Sequence, residues 1–508
     1  MDNTEKRECD KANNGFPKFK KSTSLLALFF RDLSEQRSQK DRDSQDSSDE
    51  EENGDEKKVE DESVIGDFAQ KSTISGMKYV SDKKSRIPRR CFWLLVVLTG
   101  AGFLVYQIVR SVNLYLDYPV NVDVKITYAN DLPFPAITIC NMNLLRRLEL
   151  EHYEGHDAIE FLELLYPLVT EKTSPVPENI IQNFTLTTVA NLTDLLMRYG
   201  HQKENMVILC HWKSSACSSV NFTTTITDYG LCHTFNSGLE GTAPLRVDNT
   251  GARYGLTLYV DIEQGEYGRG PRESAGLKIA IHNQRDIPLV SDLGFAVSPG
   301  THTLIGLRMT KISSLPNPYG LCKSKKLQFY GDYTMSKCQL ECLTHFIVGR
   351  CGCKQAYMPG QVRHCSPQDV YNCYLPNLGE YAGHKDMCEC PVPCERTIYS
   401  SRLSYAQFPS DFAANEYSKL LNNSDSDYIR RNGLKLEIFY EELSFKEVTH
   451  QVEYELFKLF SDIGGSMGLL LGASFVTIVE IFDFACLNLY RRVRSKWRPR
   501  ITPIETKS

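Results

Sequence analysis

The chain has 508 residues, a formal net charge of -5, 17 cysteines and 42% hydrophobic residues. A charge balance this close to neutral gives no basic footprint, so no nucleic-acid partner is expected. There is no phosphate-binding glycine loop and no nucleophile–base arrangement, which argues against an enzyme.

In chain order, residues 34 to 63 read SEQRSQKDRDSQDSSDEEENGDEKKVEDES, with no aromatic residue and almost no apolar one. Such a stretch cannot bury enough surface to fold, and is read as a solvated acidic tail. Phe92 to Val109 follows as an uncharged apolar run, preceded by Lys83, Lys84, Arg86, Arg89 and Arg90. A second apolar segment, Ile463 to Tyr490, is followed by Arg491, Arg492, Arg494, Lys496, Arg498 and Arg500. Basic flanks stay on the cytoplasmic side. The expected topology is a cytoplasmic tail (1–88), a first transmembrane helix (89–110), an extracellular domain (111–455), a second transmembrane helix (456–490) and a cytoplasmic tail (491–508). The first apolar run lies too deep in the chain, and lacks a small-residue cleavage site, for a signal peptide.

Cysteine placement supports this division. Cys9, Cys91 and Cys486 fall in or beside the cytoplasmic parts, and the other fourteen run from Cys140 to Cys394. An even number in the outer segment is a disulfide framework in an oxidising compartment. That setting disfavours a zinc reading of Cys351 and Cys353 or Cys388 and Cys390, so no metal or cofactor is expected. Four N-x-S/T glycosylation acceptors, Asn183, Asn191, Asn221 and Asn422, lie in the same segment. Val120 to Tyr128, Leu256 to Ile262 and Leu434 to Tyr440 alternate with period two, the pattern of half-buried strands. The first strand lies close behind the first span and the last close before the second, so strand movement reaches the membrane directly. Thr334 to Val348 reads as a helix. It places Cys338 and Cys342 about 6 Å apart along one face, and Cys388 and Cys390 are about 6.6 Å apart if extended. Two parallel staples are therefore permitted, among on the order of 10⁵ connectivities. All 11 histidines lie in the outer segment and titrate in the physiological range when exposed.

The second span carries Asp462 at its outer end and Glu480 and Asp483 in its inner part. Charges in a span are costly and point to a polar pathway. Asp462 and Glu480 are five turns apart, so a continuous helix puts them on one face. Several copies around an axis would form carboxylate rings that attract cations. Gly464, Gly468 and Gly472 form a row that lets helices approach closely, and Gly472, Ala473 and Ser474 are three small residues whose carbonyls suit a narrow lumen.

These residues resemble the degenerin/epithelial sodium channel superfamily, and within it the acid-sensing ion channels. The similarity spans about 72 to 486. It is carried by FPAITICN from Phe134, YGLCHTFNSG from Tyr229, the cysteine order from Cys322 to Cys394, SDIGGSMGLLLGAS from Ser461, and EIFD from Glu480. The resemblance implies an α+β membrane protein of the plasma membrane, with two transmembrane helices and a disulfide-rich outer domain of palm, β-ball, knuckle, finger and thumb. It implies a homotrimer or heterotrimer with related subunits, surrounded by membrane lipid, conducting sodium and blocked by amiloride. It implies disulfides Cys140–Cys232, Cys210–Cys217, Cys322–Cys394, Cys338–Cys390, Cys342–Cys388, Cys351–Cys373 and Cys353–Cys365. Gly472, Ala473 and Ser474 fall at the selectivity belt and Ser461 at the degenerin position. Tyr118 and Tyr319 fall where two aromatic residues couple thumb to first span, the second usually being tryptophan.

The departures bear on gating. Ser75-Gly76 stands where the family has a His-Gly pair, and Asp117, Tyr118 and Pro119 stand where many proton-gated members carry histidine. Of the acidic pocket, Glu266 and Asp332 remain as candidate proton sensors, while Gly265, Gln328 and Gly331 replace carboxylates. Gln339 and Leu343 replace the pair that holds a chloride. The leading expectation is a proton-gated sodium channel. The alternatives are the same pore opened by a peptide or other ligand, or constitutively open, and a non-conducting two-pass receptor.

Overall fold

The computed structural model describes residues 73–82, 84–155, 159, 192–238, 241, 243–383, 388–420 and 427–496. The acidic stretch and the acceptors Asn183, Asn191 and Asn422 lie outside them. Asn221 is exposed and closes a capping box with Ser218.

Helix Ile87–Leu116 (α1) begins with Pro88 in its first turn, where the missing N–H is no loss. Its 30 residues span about 45 Å, more than a bilayer core requires, and it is apolar enough to cross a membrane. It extends beyond the sequence boundary of 110, so only three residues separate it from strand Val120–Tyr128 (β1). The following elements are strand Ala136–Asn141 (β2), helix Arg147–Glu154 (α2), strands Val207–Trp212 (β3), Ser215–Cys217 (β4), Phe222–Thr227 (β5), Gly230–Phe235 (β6), Leu256–Asp261 (β7), Leu277–His282 (β8), Phe295–Val297 (β9) and Thr301–Ser313 (β10). Helix Met335–Cys351 (α3) precedes strands Glu395–Gln407 (β11) and Gly433–Val452 (β12).

Seven strands form one sheet in the order β11-β10-β12-β7-β3-β4, with β1 paired to the far part of β12. Five form another, β9-β8-β2-β6-β5. The main core lies between them. Leu256, Leu258 and Val260 on β7 and Leu434, Leu436, Ile438 and Tyr440 on β12 are buried there with Ile137, Ile139, Ile305 and Leu307. The alternation at β7 and the start of β12 thus marks a buried face.

Two strand expectations differ from the structure. Strand β12 continues twelve residues past Tyr440, to Val452, because β10 and β1 flank its second half. Strand β1 is not half-buried: Val122, Val124 and Ile126 are 48%, 52% and 60% exposed. Its pairing runs Val120↔Val452 to Tyr128↔Ser444, and Glu453 N donates to Pro119 O at 3.0 Å. The two chain segments entering the span helices are therefore neighbours in one ladder.

Among the described residues seven disulfides are formed, in the pairs the resemblance implies. Helix α3 starts at Thr334, whose side chain caps Lys337 N, and it carries the two staples. The partner segment is not a plain strand, since Cys390 N donates to Cys388 O at 3.0 Å in a tight turn.

The second apolar segment is not one helix. Leu456–Leu471 (α4) and Phe475–Lys496 (α5) meet at a bend of 79°. The expected common face for Asp462 and Glu480 does not exist, because the helix ends at Gly472 in the left-handed conformation, φ 59°.

Candidate functional site

The break is built from Gly472, Ala473 and Ser474. Gly472 N donates to Gly468 O at 3.0 Å, which closes α4. Ser474 restarts the chain as a helix: its O accepts from Thr477 N at 3.0 Å, and its N donates to Thr477 Oγ1 at 3.1 Å. Three backbone units in succession are thereby held out of helical register, at a point where the adjoining turns, Met467–Leu471 and Phe475–Val479, are mostly apolar.

The segment before α1 reaches this break. Ser75 N donates to Leu471 O at 2.9 Å, supplying a partner to a carbonyl at the helix end. Thr73 Oγ1 lies 2.8 Å from Thr477 Oγ1 and donates to Glu480 Oε2 at 3.0 Å. A carboxylate only accepts, so the direction of the whole chain is fixed. Ser474 N–H points to the Thr477 hydroxyl, that to Thr73, and that to Glu480. Gly76 is left-handed, φ 89°, beside Trp93 and Val97 of α1. Ser75 and Gly76 thus sit at the break, against α1 and α4. Asp483 is exposed one turn beyond Glu480. At the other end Asp462 accepts from Tyr454 OH at 2.5 Å, and Ser461 beside it is exposed.

Tyr118 and Tyr319 meet edge to face, with ring centroids 5.3 Å apart at 86°. Tyr118 lies between α1 and β1, and Tyr319 lies just before Cys322, the start of the stapled region.

Glu266 and Asp332 are not brought together. Glu266 Oε2 accepts from Leu148 N at 3.0 Å at the start of α2. Asp332 pairs with the buried Lys337 Nζ at 2.5 Å. Among the described residues neither shares a bond with the other, and none of the groups of His, Cys, Asp and Glu is suited to hold a metal ion.

Sequence reasoning missed the buried polar groups. Glu341 accepts from Gln328 N at 2.8 Å and Phe329 N at 2.9 Å, so Gln328 contributes its backbone here. Burial raises the Asp261 carboxyl above its usual range, against hydrogen bonds from Glu263 N and Tyr428 OH. Burial also raises Asp228, which accepts from Val290 N and Ser291 N, and lowers His233 and His282. Alternation gave no hint of these groups, since Asp261 and His282 fall on the polar positions of their strands.

Residues 68–484, most of the chain, match the family described as the amiloride-sensitive sodium channel. The chain belongs to that family. It is similar to acid-sensing ion channel 1C of Danio rerio, 33% identical over 448 residues covering 84% of each chain. It is similar also to acid-sensing ion channel 2 of Rattus norvegicus, 33% identical over 458 residues, 85% of this chain and 87% of that one. Acid-sensing ion channel 1 of Gallus gallus is 33% identical over 438 residues, 82% of each. This member of the amiloride-sensitive sodium channel family is therefore an ion channel of the plasma membrane and not an enzyme.

Proposed function

We propose that the chain forms a trimeric, amiloride-sensitive sodium channel opened by extracellular protons, with both termini cytoplasmic. The observation that carries this reading is the break at Gly472–Ser474, with Asp462 before it and Glu480 and Asp483 after it. Backbone released from a helix within a membrane must line water or protein. Carboxylates at both ends favour cations. The open apolar face of β1, beside the ladder to both spans, supports assembly with further copies. Proton gating is supported by the names of the relatives and by outer carboxylates such as Asp261 and Asp228, whose raised affinity brings protonation nearer to mild acid.

Expressed alone in oocytes and stepped from neutral pH to about pH 5, across the ordinary histidine range, the chain is expected to give a transient inward current blocked by amiloride. Absence of that current, with steady current from Ser461→Phe, overturns proton gating and leaves an intact pore.

A second reading, a peptide or other ligand as opener, is favoured by a cleft of about 1250 Å³ lined by Asp286, Lys311, Asp332, Tyr333, Glu395 and Arg396.

The Tyr118–Tyr319 contact is assigned the coupling of the stapled region to α1. Such a ring pair contributes about 0.5–1.5 kcal/mol, on the order of two- to tenfold in an equilibrium. Tyr319→Ala is expected to shift that equilibrium by this factor, lowering current at half-saturating acid about 1.5- to 5-fold at equal surface protein. Unchanged current at every pH overturns the assignment.

A further inference from the structure

His201 lies outside every motif used above. It is 1% exposed. Its Nδ1 is 2.8 Å from Glu263 Oε2, and its Nε2 is 2.9 Å from Asn143 Nδ2. A carboxylate only accepts, so Nδ1 carries the proton. An amide nitrogen only donates, so Nε2 is bare. The amide cannot simply turn over. The same nitrogen donates to Leu145 O at 2.5 Å and faces Glu266 O at 3.3 Å, so a flip would set oxygen against two carbonyls. Asn143 therefore presents a donor to the bare Nε2, while Glu263 presents an acceptor to Nδ1–H.

The other groups around the ring are named by the same geometry. Asp261, at the end of β7, accepts from Glu263 N at 2.7 Å and Tyr428 OH at 3.0 Å. Tyr267 stands edge-on with centroids 5.9 Å apart. His233 on β6 donates from Nε2 to His201 O at 2.8 Å, and burial lowers its affinity for a proton, with Lys203 and Glu204 nearby. Arg146 Nε donates to Gly200 O at 3.3 Å, next along the chain. Glu263 is 18% exposed and opens the cluster to water.

We propose that His201 is a proton-binding site whose occupation expels the Asn143 amide and frees the turn carrying Glu266 from helix α2. Once Nε2 takes a proton it becomes a donor facing a donor. Glu263 holds the charge on the other side, so Asn143 is the group that moves. Its departure releases Leu145 O and Glu266 O, and Gly268 N, which is 3.4 Å from Asn143 Oδ1. The Glu266 cap on Leu148 N then loses its support. Proton affinity is higher in the rearranged state, so falling pH populates it. Only the consequence for the pore rests on the proton-gating reading.

The test uses the full chain, in nanodiscs for amide exchange and in oocytes for current. Exchange over residues 144–150, corrected for its intrinsic pH dependence, is expected to accelerate between neutral pH and about pH 5.5, the histidine range. His201→Gln is expected to abolish that transition. Glu263→Gln is expected to move it, and the half-activating pH, about one unit toward acid, a tenfold change in proton requirement. Asn143→Asp, which offers Nε2 an acceptor, is expected to move both toward neutral pH. A His201→Gln channel with an unaltered exchange transition and half-activating pH overturns the proposal. An exchange transition that His201→Gln abolishes, without acid-evoked current in the unaltered chain, supports the site and overturns proton gating. Should His201→Gln fail to fold, the opposite shifts of Glu263→Gln and Asn143→Asp decide, and shifts in one direction overturn the proposal.

Discussion

Gly472→Val is expected to abolish sodium current while leaving the channel at the cell surface. Gly472 has φ 59°, a conformation that costs a side-chain-bearing residue about 1–2 kcal/mol, and more for a β-branched one. A Cβ there would also fall inside contact distance of Ser75 Oγ. Two responses are available to the variant. It either displaces Ser75, losing the bond to Leu471 O, or it draws residue 472 into a continuous helix and erases the break. Both remove the arrangement that carries the pore reading. The outer domain, with its own core and disulfides, remains folded. Surface labelling and amiloride-blocked current read the two consequences separately. Normal current from Gly472→Val would mean that the break is not the conducting element. Ser75→Gly removes the crowding side chain, so Ser75→Gly with Gly472→Ala is expected to recover current that Gly472→Ala alone loses.

The second large effect concerns the outer domain. Cys140–Cys232 closes 92 residues and Cys210–Cys217 closes 7. On chain-entropy grounds the first is worth about 4–5 kcal/mol and the second about 2–3 kcal/mol. Both bridge directly opposed positions on paired strands, β2 with β6 and β3 with β4. Cys140 and Cys232 are also at most 1% exposed, so alanine there leaves a void. Cys140→Ala with Cys232→Ala is expected to lower the melting temperature of the purified protein well beyond Cys210→Ala with Cys217→Ala, and to lose most surface channel. Equal losses from the two pairs would show that loop closure does not govern stability here.

Features that depend on local pattern were legible in the sequence. Strand β1 spans the alternating run from Val120 to Tyr128, and α3 covers the stretch from Met335 that spacing assigned to a helix. The cysteine spacing permitted the two staples on α3, but the connectivity came from the resemblance, since spacing alone leaves far too many pairings. The break at Gly472 was not legible. A Gly-Ala-Ser triplet suits close helix packing and a helix end equally well, and the contact beside it comes from Ser75, far away in the chain. Strand β12 lost its alternation after Tyr440 because its neighbours change from β7 to β1. His201 had no local signal, because Asn143 and Glu263 come from two other segments.

The bonds of Thr73 and Ser75 carry a further consequence. The threonine is 404 positions from Thr477, yet the two hydroxyls touch at the break. From the opposite side, β12 leads into α4 across three residues. The break is thus a joint with two handles, one leading to the sheets through β12 and one to the amino-terminal segment. On the proposed pore reading, ions pass a wall made from both ends of the chain, and regulation and permeation share the same atoms. On that same reading, a signal that shifts the amino-terminal segment reshapes the path itself, through the bonds of Thr73 and Ser75.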